Sequence, residues 1–512
     1  MRKRVPKTVQ GIRWWLLACL AAAGFLAFGT ARPACLASSA ALWATAISGD
    51  PVPEEEEKYR IEIIDAKAFD PTMAGTLQLP TDSPGISTMA YRTGVTADGL
   101  SVLVIRLGPI DAEPFPITFT VSDSAGDPAS VVGALSSTMP AVPAPLGGST
   151  GTKTSVTIPA GQSPVVYYCP PEAFKFGGVR DNTAIGEQNQ KLTITASTGG
   201  EALAAAPLYL VRPTILFVHG VLSGPGTWTG SQDSFTSFIA NVNLPSAQYS
   251  LADYSFENTS GYDLTAMVVP TDINDLVGNE VASLIATTRV DVVGHSMGGV
   301  ITAWYASNFG DVTISRNDGF PNGSWNGKLF PFRSPNDFGV GDIRRFVSIG
   351  SPFNGSPLAD ALVGAFSAQA FLTAIDLQTA SATGNGAAVY DLQIKSSASS
   401  KLETQPGPSL EWLPIAGIAG QGQNLGLPDS ALYTIGGWIP GQLAGLPQNG
   451  SDLIVAEVSA VNSVSAPVGE KITKATGVVH TTETTDLTIQ QDVAQALDFQ
   501  NAGGSVLFNT QF

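Results

Sequence analysis

A single serine stands among glycines in Gly294-His295-Ser296-Met297-Gly298-Gly299, directly after the run VDVV. A chain that turns sharply from strand to helix must hold one residue in a strained conformation, and small neighbours prevent clashes around it. A serine placed there is presented above the sheet edge, with a helix N-terminus beneath it. The Met297 N–H then points to where an oxyanion would form. The pattern reads as a nucleophile elbow built from Gly294, His295 and Gly298 around Ser296.

A serine hydroxyl is a weak nucleophile until a base takes its proton. The chain has three histidines, His219, His295 and His480. His295 neighbours Ser296 in the turn and cannot readily fold back onto its hydroxyl. His219 ends an upstream strand. By elimination His480, in GVVHTTE, is the base. The base needs an acid to hold its tautomer and stabilise its charge. Asp452, in NGSDLIVAEVSA, follows a turn 28 residues before His480 and is the leading candidate, giving the order Ser, Asp, His. Asp360, Asp376, Asp391 and Asp486 compete with it. His219-Gly220-Val221 completes the set. Gly220 permits a tight turn, the Val221 N–H serves as a second oxyanion donor, and His219 is structural.

The segments FVHG, GHSMGG, SIGSPFNGSPLAD (348–360) and SDLIV resemble α/β-hydrolases of the lipase group, near bacterial triacylglycerol lipases and the glycosylphosphatidylinositol inositol-deacylase-like esterases. The resemblance covers residues 211–512. It implies ester hydrolysis through an acyl-enzyme, with Ser296 as nucleophile, His480 as base, Asp452 as acid, and Val221 and Met297 as oxyanion donors. The sequence departs from the family's usual Pro-His-x-Gly at one strand end, where Phe353 stands in place of a histidine.

These residues need a scaffold. PTILFVHG (213–220), RVDVVGH and IRRFVSIGSP (343–352) read as buried strands, and DINDLVGNEVASLIA (272–286) and MGGVITAWYASNF as helices. Strands alternating with helices imply a mostly parallel sheet flanked by helices, the α/β-hydrolase fold over 211–512. Residues 312–341 and 367–450 interrupt the rhythm and read as insertions, the second including LPIAGIAG (413–420). The first is a lid candidate, because Phe320, Trp325, Phe330 and Phe332 are many large apolar groups for a solvent loop. Upstream, about seven short strands with Gly, Pro and Asp between them predict an all-β sandwich over 58–210. Its TADGLSVLVIRL (96–107) resembles bacterial immunoglobulin-like repeats.

Residues 47–57 (ISGDPVPEEEE) read as a linker. Residues 1–46 combine basic MRKRVPK with an apolar run from Trp14 to Phe28, the form of a signal peptide or anchor. The protein is therefore expected outside the cytoplasm: periplasmic, at the cell surface or extracellular. Of three cysteines only Cys169 remains once this segment is cleaved, so no intramolecular disulfide is expected in that product.

The chain of 512 residues carries a formal charge of −17, which argues against nucleic acid and anionic membrane surfaces as partners. The expected partner is a lipid or other apolar ester, with membrane or lipid-interface contact through the lid. No cofactor is expected, and a structural calcium ion and the oligomeric state are left open. An acyltransferase or a peptidase could use the same triad. The competing class is a surface adhesion protein with an inert hydrolase-like domain.

Overall fold

Continuous apolar runs build the inner strands, and alternation of apolar and polar residues marks strands with one exposed face. In the computed structural model the described residues are 59–69, 91–108, 112–140, 153–172, 189–221, 223–229, 233–237, 249–258, 260–307, 341–360, 387–404, 411–418, 457–460 and 473–497, with Phe174, Phe332, Asp337, Val340 and Val455 singly. Residues 56–512 form one compact unit.

The first nine strands are β1 (Arg60–Asp65), β2 (Gly94–Thr96), β3 (Leu103–Gly108), β4 (Ile117–Ser122), β5 (Ala134–Ser136), β6 (Ser155–Ile158), β7 (Val165–Cys169), β8 (Gln190–Thr198) and β9 (Glu201–Val211). One sheet has the order β1-β3-β7-β5, antiparallel throughout. In the other, β9-β8-β4-β6 are antiparallel neighbours. Every second residue of β8, Leu192, Ile194 and Ala196, points into a core shared with Leu103, Ile105 and Leu107 of β3, so the two sheets form a sandwich. Cys169 lies buried at the end of β7, and burial pushes its thiol up to about 11, which leaves it inert.

The second half carries β10 (Ile215–Val218), β11 (Tyr249–Leu251), β12 (Ile285–Ala286), β13 (Val290–His295), β14 (Ile343–Ile349), β15 (Glu411–Ile418) and β16 (Thr473–Thr476). Its helices include α1 (Val268–Ala282), α2 (Met297–Ala306) and α3 (Leu487–Ala496). The central sheet has the order β11-β10-β13-β14-β15-β16 and every pairing is parallel. Both faces are buried, as a parallel sheet requires. Leu216, Val218, Val292 and Phe346 meet α1 and α2 on one face. Ile215, Phe217, Val293, Val347 and Ile415 meet α3 on the other.

Three stretches behave differently from the sequence expectation. LPIAGIAG was expected inside an insertion, yet Glu411–Ile418 is an inner strand of the central sheet, because its apolar run can be buried on both faces. The helix expected to run through 286 ends at Ala282. Leu284 then takes φ +63°, and Ile285–Ala286 joins β2 in the sandwich sheet as a parallel strand. Phe332, a lid candidate, is buried in the main core, edge-on to Tyr305 at 5.6 Å. Phe320, Trp325 and Phe330, with residues 1–58, lie outside the described residues.

The sandwich meets the central sheet where β13 and β14 begin. Asp98 Oδ2 accepts from the N–H groups of Thr288 (2.9 Å) and Arg289 (3.1 Å), while its Oδ1 accepts from Leu100 and Ser101 N–H at 2.8 Å each. Arg344 forks onto Asp291 at 2.8 and 2.6 Å and donates a further bond to the Glu172 carbonyl at 2.8 Å. Both side chains of this pair are buried. Such a pair is tolerated in the interior when its remaining donors are also satisfied.

Candidate active site

Ser296 sits where β13 passes into α2, with φ +55° and ψ −128°. It is one of three non-glycine residues with positive φ among those described. A serine held in that region is strained unless its surroundings over-determine it. They do so by backbone and packing. The Ser296 N–H donates to Ile349 O at 2.9 Å, tying the turn to the end of β14. A Cβ on Gly294 would come within 2.6 Å of Gly299, and one on Gly298 would strike the carbonyls of Val218 and His219. Helix and strand therefore approach too closely for any side chain at these positions. Met297 opens α2 with its side chain fully buried. Its N–H is one of the first-turn donors that a helix leaves without an internal partner.

The turn after β10 reaches the same place. A Cβ on Gly220 would lie 2.7 Å from Ser296 Cβ and 3.1 Å from Ser296 Oγ. Val221 follows half-buried and packs on the main core. His219 stacks flat on Tyr254 with centroids 4.1 Å apart. Tyr254 Oη donates to the His219 carbonyl, and His219 Nδ1 lies 2.9 Å from Gly220 O. Burial pulls its imidazole down to about 4, so His219 is neutral near neutrality and supports the turn.

His480 opens the 3₁₀ turn His480–Thr485 between β16 and α3, and is buried. Its Nδ1 lies 3.2 Å from Glu483 Oε2. His295 Nε2 lies 3.2 Å from the same Oε2 and 3.2 Å from the His480 carbonyl. The two imidazole rings are 4.8 Å apart. The base candidate is thus brought beside the elbow, and the residue preceding the serine is hydrogen-bonded to it. Glu483 Oε1 accepts from the Gly417 N–H at 3.0 Å. Burial alone would raise the Glu483 carboxyl, but the facing His480 and His295 outweigh it and hold the group well below the usual carboxylate range. Burial lowers His295, with Glu483 opposing in part. Glu483 thus lies as an anion between two imidazoles.

Glu483 was not among the expected site residues. Its signal was present in His480-Thr-Thr-Glu483: residues three apart eclipse each other in a 3₁₀ turn. Asp452 lies outside the described residues, as does Asp376. The other competitors have local duties. Asp486 caps α3 by accepting from Ile489 N–H at 3.1 Å, Asp391 accepts from Tyr262 N–H at 2.9 Å, and Asp360 accepts from Ile394 N–H at 3.2 Å. Phe353 is buried edge-on against Trp412 at 5.1 Å.

Residues 215–419 match the alpha/beta hydrolase family model. The parallel sheet with its strand–serine–helix elbow is an α/β-hydrolase fold. Among solved structures the chain is similar to a truncated carbohydrate esterase from gut microbiota, at 14% identity and TM-score 0.29, over 61% of this chain and 90% of that one. It is also similar to an inhibited esterase B from Lactobacillus rhamnosis, at 12% and 0.28, over 62% and 84%. A third is an esterase from Rhizomucor miehei, at 12% and 0.26, over 61% and 79%. No curated protein matches the chain.

His295, His480 and Glu483 also form, among the described residues, a group whose donor atoms lie within 4.8 Å of one another and could share a metal ion. Two imidazoles and one carboxylate suit zinc rather than calcium, which takes oxygen ligands. Among the described residues no helix is long and apolar enough to cross a membrane.

Proposed function

We propose that the protein is an exported serine carboxylester hydrolase of the lipase/esterase kind, cleaving lipid-like esters through an acyl-enzyme. The observation that carries the reading is the strained Ser296 at the head of α2, with the Gly220 turn against its side chain and a buried, carboxylate-bound His480 beside the elbow. A carboxylate on Nδ1 fixes the tautomer that leaves the Nε2 lone pair to take a proton. In this reading Ser296 Oγ attacks the ester carbonyl as His480 accepts its proton. The Met297 and Val221 N–H groups stabilise the tetrahedral oxyanion. His480 then returns the proton to the departing alkoxide. Water repeats the cycle on the acyl-enzyme and releases the acid. The reading needs no cofactor. Export rests on the basic and apolar pattern of residues 1–46, and the lipid character of the substrate on Phe320, Trp325 and Phe330 within 312–341.

Purified protein is assayed on p-nitrophenyl esters of short and long acids, beside Ser296→Ala. Wild-type hydrolysis and a loss on the order of 10⁶ in kcat are expected, with an unchanged melting temperature. A variant that keeps a tenth of the activity would sink the serine mechanism.

A further inference from the structure

We propose that Ser223 is a positioning residue for oxyanion stabilisation: its hydroxyl holds the Gly220 carbonyl, and through the planar Gly220–Val221 peptide it aims the Val221 N–H at Ser296. The inference rests on the serine-hydrolase reading and deepens it.

Gly220 is a glycine by necessity, since a Cβ there would lie 2.7 Å from Ser296 Cβ. The cost is freedom: a glycine peptide is the least restrained in a chain, so hydrogen bonds must set its orientation. Two groups converge on its carbonyl. Ser223 Oγ donates to Gly220 O at 2.7 Å, and His219 Nδ1 lies 2.9 Å from the same oxygen. A hydroxyl has one proton to give. With that proton on Gly220 O, Ser223 Oγ presents a lone pair to His219 Nδ1, 3.2 Å away. Nδ1 is then the protonated nitrogen of the ring. His219 Nε2 is buried without a partner, so all the hydrogen bonding of this imidazole is on the Gly220 side.

Ser223 is itself tied down. Its carbonyl accepts from Asn258 Nδ2 at 2.8 Å, and Asn258 is buried. At the other end of the turn Tyr254 Oη donates to the His219 carbonyl while its ring stacks on the imidazole. Tyr254 and Asn258 both follow β11, the edge strand beside β10. The neighbouring strand end thus frames the turn from both sides.

The consequence follows from peptide geometry. In a planar trans peptide the C=O and the N–H point in opposite directions. An oxygen held toward His219 and Ser223 turns the Val221 N–H the other way. In the proposed reading that N–H is the second donor to the oxyanion. Such a donor contributes most when it is aimed before charge develops, because it then need not reorganise during the reaction. Without Ser223 the carbonyl keeps one tether, and the glycine peptide can rotate. Ser223 acts through Val221 and not on the ester itself.

The test uses the full chain, a short p-nitrophenyl ester, a fluorophosphonate that counts active sites, and an alkyl trifluoromethyl ketone. The ketone's hemiketal with Ser296 puts an oxyanion where the reaction does. Ser223→Ala is expected to lower kcat per labelled site by about 10- to 100-fold, less than the loss of a whole donor, with KM within about threefold. Affinity for the ketone should fall by a similar factor. Ser223→Thr keeps the hydroxyl and should recover most of both. A serine of merely structural use would lower the labelled fraction and the melting temperature and leave kcat per labelled site unchanged, which overturns the proposal. So does a loss confined to KM, or a threonine variant no better than alanine. Should Ser223→Ala fail to fold, Asn258→Ala takes its place, because it removes the donor to the Ser223 carbonyl and keeps the hydroxyl. A loss of about three- to tenfold in kcat per labelled site, matched in ketone affinity, then supports the brace, and no change refutes it. An unlabelled wild type, or an active Ser296→Ala, overturns the serine reading and this inference with it.

Discussion

The two ends of the central sheet each bury charge, and they do so to opposite effect. Where β13 and β14 begin, Arg344 and Asp291 form a bidentate pair, and Arg344 has a further bond across to the sandwich. Asp98 beside them accepts four backbone N–H groups. Guanidinium keeps its charge at every relevant pH, so this end is a fixed seam. Where the same strands finish, the buried carboxylate of Glu483 meets imidazoles instead. An imidazole, unlike a guanidinium, is a group able to take and release a proton in the physiological range. The elements are shared, and the partner's titration range separates a fastener from a proton-handling site.

The largest test of that contrast removes one partner from the seam. Arg344→Met leaves Asp291 buried without its cation and should cost about 3–5 kcal/mol in urea unfolding. Turnover per phosphonate-titrated site should stay within twofold. The double variant Arg344→Met/Asp291→Leu should recover part of the stability. Retained stability with lost turnover would mean the seam belongs to the catalytic machinery.

Next is the acid response. His219 is held at about 4, below the unfolded value of 6.5, by burial. Its stabilising contribution is full above pH 6.5 and is lost as pH falls from there through about 4, because the unfolded chain takes up the proton first. The amount is about 3 kcal/mol. Glu483 works in a different window: its lowered value contributes stability above about 4.5 that is lost only at still lower pH. His219→Gln should therefore flatten the fall in melting temperature between pH 6.5 and 4 and leave the steeper loss below it. An unchanged slope would show that His219 titrates normally and is not sealed against Tyr254.

The smallest effect is at Asp486. It caps α3 immediately after the His480–Glu483 turn. Asp486→Ala should cost about 1 kcal/mol of stability with kcat within twofold. A hundredfold loss of kcat would instead place Asp486 in the relay and weaken the separation between local capping and the shared carboxylate.

Several features were legible from residue order alone because their causes are local. The elbow announces itself by glycines at Gly294 and Gly298, since a helix that close to its strand tolerates no side chain there. The Gly220 turn is marked in the same way. Several sandwich strands follow from alternation of apolar residues and the central strands from short continuous apolar runs, and three histidines left few choices for a base. Other features depend on what lies opposite in space, which spacing along the chain does not carry. Glu411–Ile418 is a core strand only because β14 and β16 flank it. Ile285–Ala286 leaves its helix because β2 offers an open edge. Phe332 joins the main core because Gly341 leaves room for its ring. Glu483 looks like one more acidic residue in a polar turn. Only the packed structure closes two strand ends, two glycines and two imidazoles around it, where a buried carboxylate must find polar partners.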